Sequence, residues 1–412
     1  MLSQFKFNSI SKYHFLLLIV SFTKLFAQEM NSQYSLVLTP HINNQWWSKY
    51  NNYGQEPSKI YLNYMNNYKK KKKEFRINIF ASKDEIYIGE SFLQSKLFSN
   101  TYIKFGKYYR DFSTYLNDDL SSGSMLVSKN AEPMPKIGLL SSHSFDKNRN
   151  INFGISHALF DKSNFYISPP MLHEKFIYLN FDYNQTHFSI GLIHEAMWGG
   201  STKKYGKFPS SFKDFLKVFI AADGPLLDGE PHANSLGNHL GVWDFQYRKT
   251  TDSKILKLYY QHFFEDTSGL RFANRFDGLW GIELSNYIYN TNLLIEYIDT
   301  TNQNRDPPYV NDYYYSNYQY DSGWTYKGYV LGNPFIDAIK NNPSKVIHAG
   351  ISSIHLKDYN YKVLLSRKIH TSDFIKYHVV LSKVVDKYLV DIIFSGEKNK
   401  KNNMGIKVSY NL

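Results

Sequence analysis

Cysteine is absent from all 412 residues. That excludes disulfides, thiolate metal sites, a cysteine nucleophile and a lipid anchor on cysteine. After the N-terminal segment there is no apolar run of roughly 18 residues, so no helical membrane span is expected. A Gly-x-Ser-x-Gly elbow and a phosphate-binding glycine loop are also missing. His194-Glu195 has Trp198, not histidine, four residues on, and it sits in a strand pattern, so the helical zinc-protease motif fails. His262 with Glu265 and Asp266 is part of a conceivable hydrolase site, but nothing supplies a nucleophile. His239 and His262 are spaced as strand residues that hydrogen-bond rather than ligate. The expectation is a protein with no enzyme activity, no cofactor and no metal.

Acidic residues are missing from the first 27 positions, which carry Lys6, Lys12 and Lys24. An apolar run from Phe15 to Val20 continues weakly to Phe26, and Ala27 precedes Gln28. This reads as a signal peptide over 1–27, too short to span a bilayer, followed by one unit over 28–412. The formal charge of +12 falls to +9 without those three lysines. The basic excess is dispersed except at Lys69–Lys73, which reads as a solvated loop or a membrane-edge anchor. An exported chain does not call for a nucleic-acid partner.

What is present is aromatic: 35 Tyr and 30 Phe in a chain of mean hydropathy −0.45. Apolar and mixed positions alternate almost to the last residue. Met404, Ile406, Val408 and Tyr410 share one face, as do Tyr388, Val390, Ile392 and Phe394, and Ile375, Tyr377, Val379 and Leu381. Leu258, Tyr260, His262 and Phe264 share another, and so do Ile177, Leu179, Phe181 and Tyr183. Side chains alternate across a strand, so each segment offers one apolar face and one mixed face. Segments of about 9–12 residues suit tilted membrane strands, and tyrosines near their ends suit interfacial girdles. The final strand, Asn403-Met-Gly405-Ile-Lys-Val408-Ser-Tyr410, resembles the signal read by barrel-insertion machinery. The fold class is therefore all-β: one large antiparallel outer-membrane β-barrel of about 16–20 strands.

One segment breaks the alternation. Ser211 to Asp214 forms a capping box, and Phe212, Phe215, Leu216 and Phe219 follow at helical spacing. A short amphipathic helix is expected over 211–221, either plugging the lumen or lying on a rim. Gln303 to Trp324 and Gly332 to Pro343 read as large external loops.

The middle of the chain carries dense polar-aromatic clusters. They contain His194, Glu195 and Trp198; Asn238, His239, Trp243 and Asp244; Gln261, His262, Glu265, Asp266, Arg271 and Arg275; Asp277 and Trp280; and Trp324. Flat rings beside amides, carboxylates and guanidiniums suit sugar rings and their hydroxyls, and Arg271 and Arg275 suit acidic sugars. The competing reading is that such residues only hold loops inside a barrel, with Trp as girdle anchors and glycines as strand bends.

In this order the clusters, from about Phe153 to Tyr361, resemble the Wzi family of capsule assembly proteins in its Bacteroidota-type form. The resemblance implies a barrel of about 18 strands, with a helix or loops capping or plugging the lumen; a monomer is expected. It implies that surface polysaccharide, capsular or exopolysaccharide, is held at the cell outer membrane with lipid around it. The helical bundle of the family's best-known branch has no counterpart in Tyr34 to Lys69, which reads as strands and loops. The alternative is a porin-like channel, whose wet lumen needs the same alternation.

Overall fold

The computed structural model describes residues 31–39, 52–55, 58–82, 85–225, 234–304, 311–340, 342–354, 359–370, 374–400 and 402–411. The expected signal peptide lies outside the described residues. The first described elements are β1 (Asn31–Leu38), β2 (Ile60–Lys70), β3 (Lys73–Ser82), β4 (Ile86–Ile88), β5 (Ser91–Phe98) and β6 (Thr101–Lys107). Then come β7 (Pro135–Ser144), β8 (Arg149–Leu159), β9 (Met171–Tyr183) and β10 (Thr186–Trp198). Short strands β11 (Ser201–Thr202) and β12 (Gly206–Lys207) and helix α1 (Phe212–Phe219) precede β13 (Asn238–Thr251). Next are β14 (Lys254–Phe264), the single turn α2 (Thr267–Leu270), β15 (Gly278–Ser285) and β16 (Thr291–Asp299). A hairpin of β17 (Thr325–Tyr326) and β18 (Tyr329–Val330) is followed by β19 (Lys345–Ser353) and β20 (Tyr359–Lys368). The last are β21 (Phe374–Val385), β22 (Tyr388–Glu397) and β23 (Asn403–Asn411).

Successive wall strands pair antiparallel, and β23 returns to β1 with Leu36 opposite Val408, so the sheet closes. Both β4 and β5 pair with β3, which makes them one strand interrupted at Gly89-Glu90. The barrel thus has eighteen staves. Closure leaves no sheet edge, which is the condition for carrying strands through hydrocarbon.

The alternation seen in the sequence orients the staves. On β9, Ile177 and Leu179 are exposed while Phe176, Tyr178 and Asn180 between and beside them are buried. On β23, Met404 and Ile406 are exposed while Asn403 and Ser409 are buried. A continuous belt of exposed apolar side chains faces lipid, because water would not tolerate it. One end of the barrel has two-residue turns, including Lys71-Lys72, Asn184-Gln185, Asp252-Ser253 and Asp386-Lys387. Asn184, Asp252 and Asp386 take the positive φ that such tight turns require. All long connections lie at the other end, which by outer-membrane architecture is the external one.

The lumen is not open across its width. The segment 108–134, between β6 and β7, folds inward and is buried along most of its length, with Leu120, Met125 and Leu126 almost fully enclosed. The long connection after β16 folds in beside it, burying Tyr314, Tyr315, Tyr320 and Trp324. Near the external rim the inward wall positions are apolar: Ile193, Leu240, Val242, Phe263, Leu279, Ile298 and Val346. The barrel therefore has a hydrophobic core inside it. The loops expected outside at 303–324 and 332–343 send much of their described length into this core, through Tyr314, Tyr315, Tyr320, Trp324, Phe335 and Ile336, while Tyr313, Tyr318 and Ile339 stay exposed.

Candidate functional site

A ring of wall carboxylates and amides holds the inward segment. Glu283 accepts from the backbone N–H groups of Leu116 (3.2 Å) and Asn117 (3.0 Å). Glu296 accepts from Ser121 Oγ and the N–H of Ser122, both at 2.7 Å, and from Tyr259 OH at 2.6 Å. Asp244 accepts from Ser113 Oγ (2.9 Å) and Tyr178 OH (2.7 Å). Gln261 Oε1 accepts from the N–H of Met125 at 3.0 Å, and His348 Nε2 lies 2.7 Å from the Leu120 carbonyl. These buried acceptors meet backbone donors that a loop in a lumen could not otherwise satisfy. The segment is a fixed plug, and sequence reasoning passed over it. Its only signal was a long Ser-rich stretch without alternation that nevertheless carries Met125-Leu-Val127.

The sixteen residues expected to bind ligand do not come together in one place. His194, Trp198 and His239 are on the outer wall beneath α1. The Trp198 ring lies 5.5 Å from Phe215 in a tilted contact, and His194 Nε2 lies 2.8 Å from His239 Nδ1. Trp243, His262 and Trp280 are also outward. Trp280 lies on Tyr260 at 3.7 Å, His262 on Phe272 at 4.1 Å, and Trp243 Nε1 donates to Leu270. These rings form an external interfacial girdle. Glu265, Asp266, Arg271, Arg275 and Asp277 belong to the loop around α2. Asp277 accepts from the N–H groups of Asn302 and Gln303 and from Tyr314 OH, so it staples one inward segment to the rim. Burial raises the Asp277 carboxyl to about 6. Asp244 and Gln261 hold the plug. Glu195 faces Glu174 across the ladder, where Lys136 Nζ reaches Glu174 at 2.8 Å, and Asn238 is buried against Met197 Sδ. Trp324 is wholly buried and donates to the Leu126 carbonyl at 3.0 Å. The clustered glycines make room for rings: a Cβ on Gly281 would lie 1.9 Å from Tyr259 Cζ, and one on Gly241 would lie 2.1 Å from Phe264 Cζ.

None of the sixteen lines the large lumen cavity beside the plug. That cavity, about 630 Å³, lies on the opposite side of the barrel, between the plug and β1–β3 with β20–β23. It extends along β1 from Thr39 at the external end to Gln33, about 20 Å of strand. Its wall mixes rings (Tyr53, Tyr61, Phe80, Tyr109), amides (Gln55, Asn63, Asn78, Asn403) and charges. Arg76 pairs with Glu90 at 2.5 Å, Arg110 with Asp118 at 2.9 Å, and Lys129 with Asp118 and Asp119 at 2.9 and 3.1 Å. Burial works against the Asp118 carboxylate, but Arg110 and Lys129 outweigh it and hold it at about 2. Arg76 Nε, Arg110 Nε and Asp391 Oδ1 are buried with no protein partner among the described residues. Lys407 is 3.9 Å from Asp391, while Lys362 has no carboxylate at ion-pair distance among them.

Residues 27–348 match the family described as capsule assembly protein Wzi. No curated protein matches the chain by sequence. Among solved structures the chain is similar to Escherichia coli Wzi, described as an outer membrane protein involved in group 1 capsule assembly and a carbohydrate-binding β-barrel. Identity is 15% and the TM-score 0.65, over 99% of this chain and 89% of that one. Pseudomonas aeruginosa OccK3 (11% identity, TM-score 0.46, 93% of this chain and 96% of that one) is too distant to carry an argument. So is Acinetobacter baumannii OccAB4 (9%, 0.46, 93% and 98%). The eighteen-stave closure agrees with the match that runs from residue 27 into β19, and the chain belongs to the Wzi family of capsule assembly proteins.

Proposed function

We propose that this barrel works without catalysis, holding an exported acidic polysaccharide in the cavity beside its plug and so helping to assemble or retain capsule at the cell surface. The family membership and the carbohydrate binding stated for Escherichia coli Wzi support the ligand class. One observation carries the site. The cavity joins aromatic faces, polar atoms buried without a protein partner among the described residues, and Lys362, a cation with no carboxylate at ion-pair distance among them. Rings stack on the C–H faces of sugars, and an unpaired ammonium answers a uronate or other acidic substituent. The plug speaks against a porin-like channel, because the other side of the lumen is packed core. The barrel is proposed to act as a monomer, with β23 read by the insertion machinery.

The test is calorimetric titration of the purified barrel with capsular polysaccharide from the strain that carries it. Wild-type protein should bind, and Lys362→Glu should bind about tenfold or more weakly, a loss of about 1.4 kcal/mol. Equal binding by both proteins refutes the assignment.

A further inference from the structure

The helix expected at 211–221 is neither in the lumen nor idle. Ser211 caps it, with Asp214 returning the bond at 2.8 Å. Its inner face packs on the outer wall. Val218 is fully buried with Ala196 and Trp198, and the Phe215 ring lies 5.2 Å from His157 and 5.4 Å from His173. Phe219 lies 5.3 Å from His173, and Lys175 donates to the Phe219 carbonyl with its ammonium 4.2 Å over that ring. Four outward histidines from four adjacent staves (His157, His173, His194 and His239) would otherwise face the bilayer edge, where polar groups are costly. Covering them explains why a helix sits there. It does not explain the helix's other face.

That other face is apolar too. Phe212, Leu216 and Ile220, spaced by four, are 75%, 50% and 71% exposed, pointing away from the barrel. Leu159, at the end of β8, and Phe165 and Ile167, on the β8–β9 connection, are exposed as well. The rest of the helix surface and the β11–β12 hairpin supply Lys203, Lys204, Lys207, Lys213 and Lys217, against Asp214 and Asp223. The height is set by the ladder: His194 pairs with Gly241, two residues rimward of the girdle residue Trp243. The helix therefore lies at the depth of the lipid headgroups, just outside the aromatic belt. An apolar stripe flanked by lysines at the level of a membrane surface is the pattern of an interfacial helix that engages anionic lipid.

We infer that α1 with the β11–β12 hairpin is an external membrane-surface anchor. Phe212, Leu216 and Ile220 seat in the acyl boundary of the outer leaflet, and the five lysines bind anionic lipid headgroups. The anchor is independent of what the lumen holds.

The cysteine-free chain makes the test clean. Full-length barrels carrying Phe212→Cys or Ile220→Cys are labelled with an environment-sensitive fluorophore and reconstituted with bromine-labelled lipids. One set of vesicles is phosphatidylcholine alone, and the other contains phosphatidylglycerol. Leu179→Cys, on the lipid-facing belt, reports insertion. The expected result is quenching at Phe212 and Ile220 that rises about twofold or more when the anionic lipid is present, because each interfacial lysine favours it. Replacing all five lysines with Gln should remove that rise and leave the Leu179 signal unchanged. Labels at Phe212 and Ile220 that stay unquenched while Leu179 is quenched overturn the anchor. Equal quenching in the two vesicles overturns the headgroup site.

Discussion

The indole N–H of Trp324 donates to the carbonyl of Leu126 at 3.0 Å, joining two inward segments that enter the lumen from different loops. Trp324 is fully buried, and the ring closes the apolar side of the plug. Trp324→Ala removes a large core side chain and orphans the carbonyl, which should cost about 3–5 kcal/mol. In planar bilayers the wild-type barrel is expected to be silent. The variant should melt at lower temperature and show conductance steps as the plug loosens. A variant that stays silent with unchanged melting would mean the two segments are held independently of this contact.

Glu296 ties the wall to the plug through three donors, one of them Tyr259 OH. The Tyr259 ring occupies the space where Gly281 has no side chain. Gly281→Ala should therefore push the ring off Glu296 and weaken the bonds to Ser121 and Ser122 at a distance. Losing a buried bond to a charged group costs about 1.5–3 kcal/mol. Heat-modifiability on gels gives the readout: folded barrel should be recovered in lower yield, and Tyr259→Leu in the same chain should restore it in part. No loss of yield in Gly281→Ala would show that the ring can move freely.

The wall was legible in the sequence because its physics is local. Met404, Ile406 and Val408 alternate with Gly405, Lys407 and Ser409 whatever surrounds them, and the capping box at Ser211 and Asp214 needs only its own turn. The lumen was not legible. Trp198 beneath Phe215, Trp280 on Tyr260 and Trp324 inside the plug are all tryptophans near glycine, yet one is under a helix, one in lipid and one in a core. Composition cannot separate these, because inward and outward differ by one position of register. The cavity residues Arg76, Arg110 and Lys362 come from distant segments with no motif between them. Only closure of β23 on β1 and the folding-in of 108–134 bring them together.

Two loop carboxylates give the plug's edge a pH dependence. Burial, with Asp266 and Asp277 nearby, raises the Asp312 carboxyl to about 8, and burial raises Asp277 to about 6. Both folded values lie above the ordinary carboxylate value, so the folded state keeps protons that the unfolded state has released. The stability from these groups is full below about pH 4 and is lost as pH rises through about 6 to 8. Protection factors of the backbone amides of residues 311–326, taken against the intrinsic exchange rate at each pH, should accordingly be higher at pH 5.5 than at pH 8.5, by about tenfold or more. Asp312→Asn, which is neutral throughout, should flatten much of that difference. An unchanged pH profile in Asp312→Asn would place the titration elsewhere.

The cavity and the girdle clusters make opposite claims about glycan contact, and point variants separate them. Arg271 is exposed beyond α2, and Trp280 faces lipid with its ring on Tyr260. Neither reaches the space bounded by Lys362, Arg76 and Asp391. Arg271→Ala and Trp280→Ala should therefore leave polysaccharide affinity within about twofold, while Lys362→Gln lowers it about tenfold. Salt adds an independent check. A contact between Lys362 and an acidic sugar is partly exposed to solvent, so raising the ionic strength from about 0.01 M to about 0.15 M shortens the screening length from about 30 Å to about 8 Å and should weaken wild-type binding. Lys362→Gln should lose most of that salt dependence, because the charge that produced it is gone. If Arg271→Ala abolishes binding and Lys362→Gln does not, the glycan lies at the external loops and the cavity holds only water.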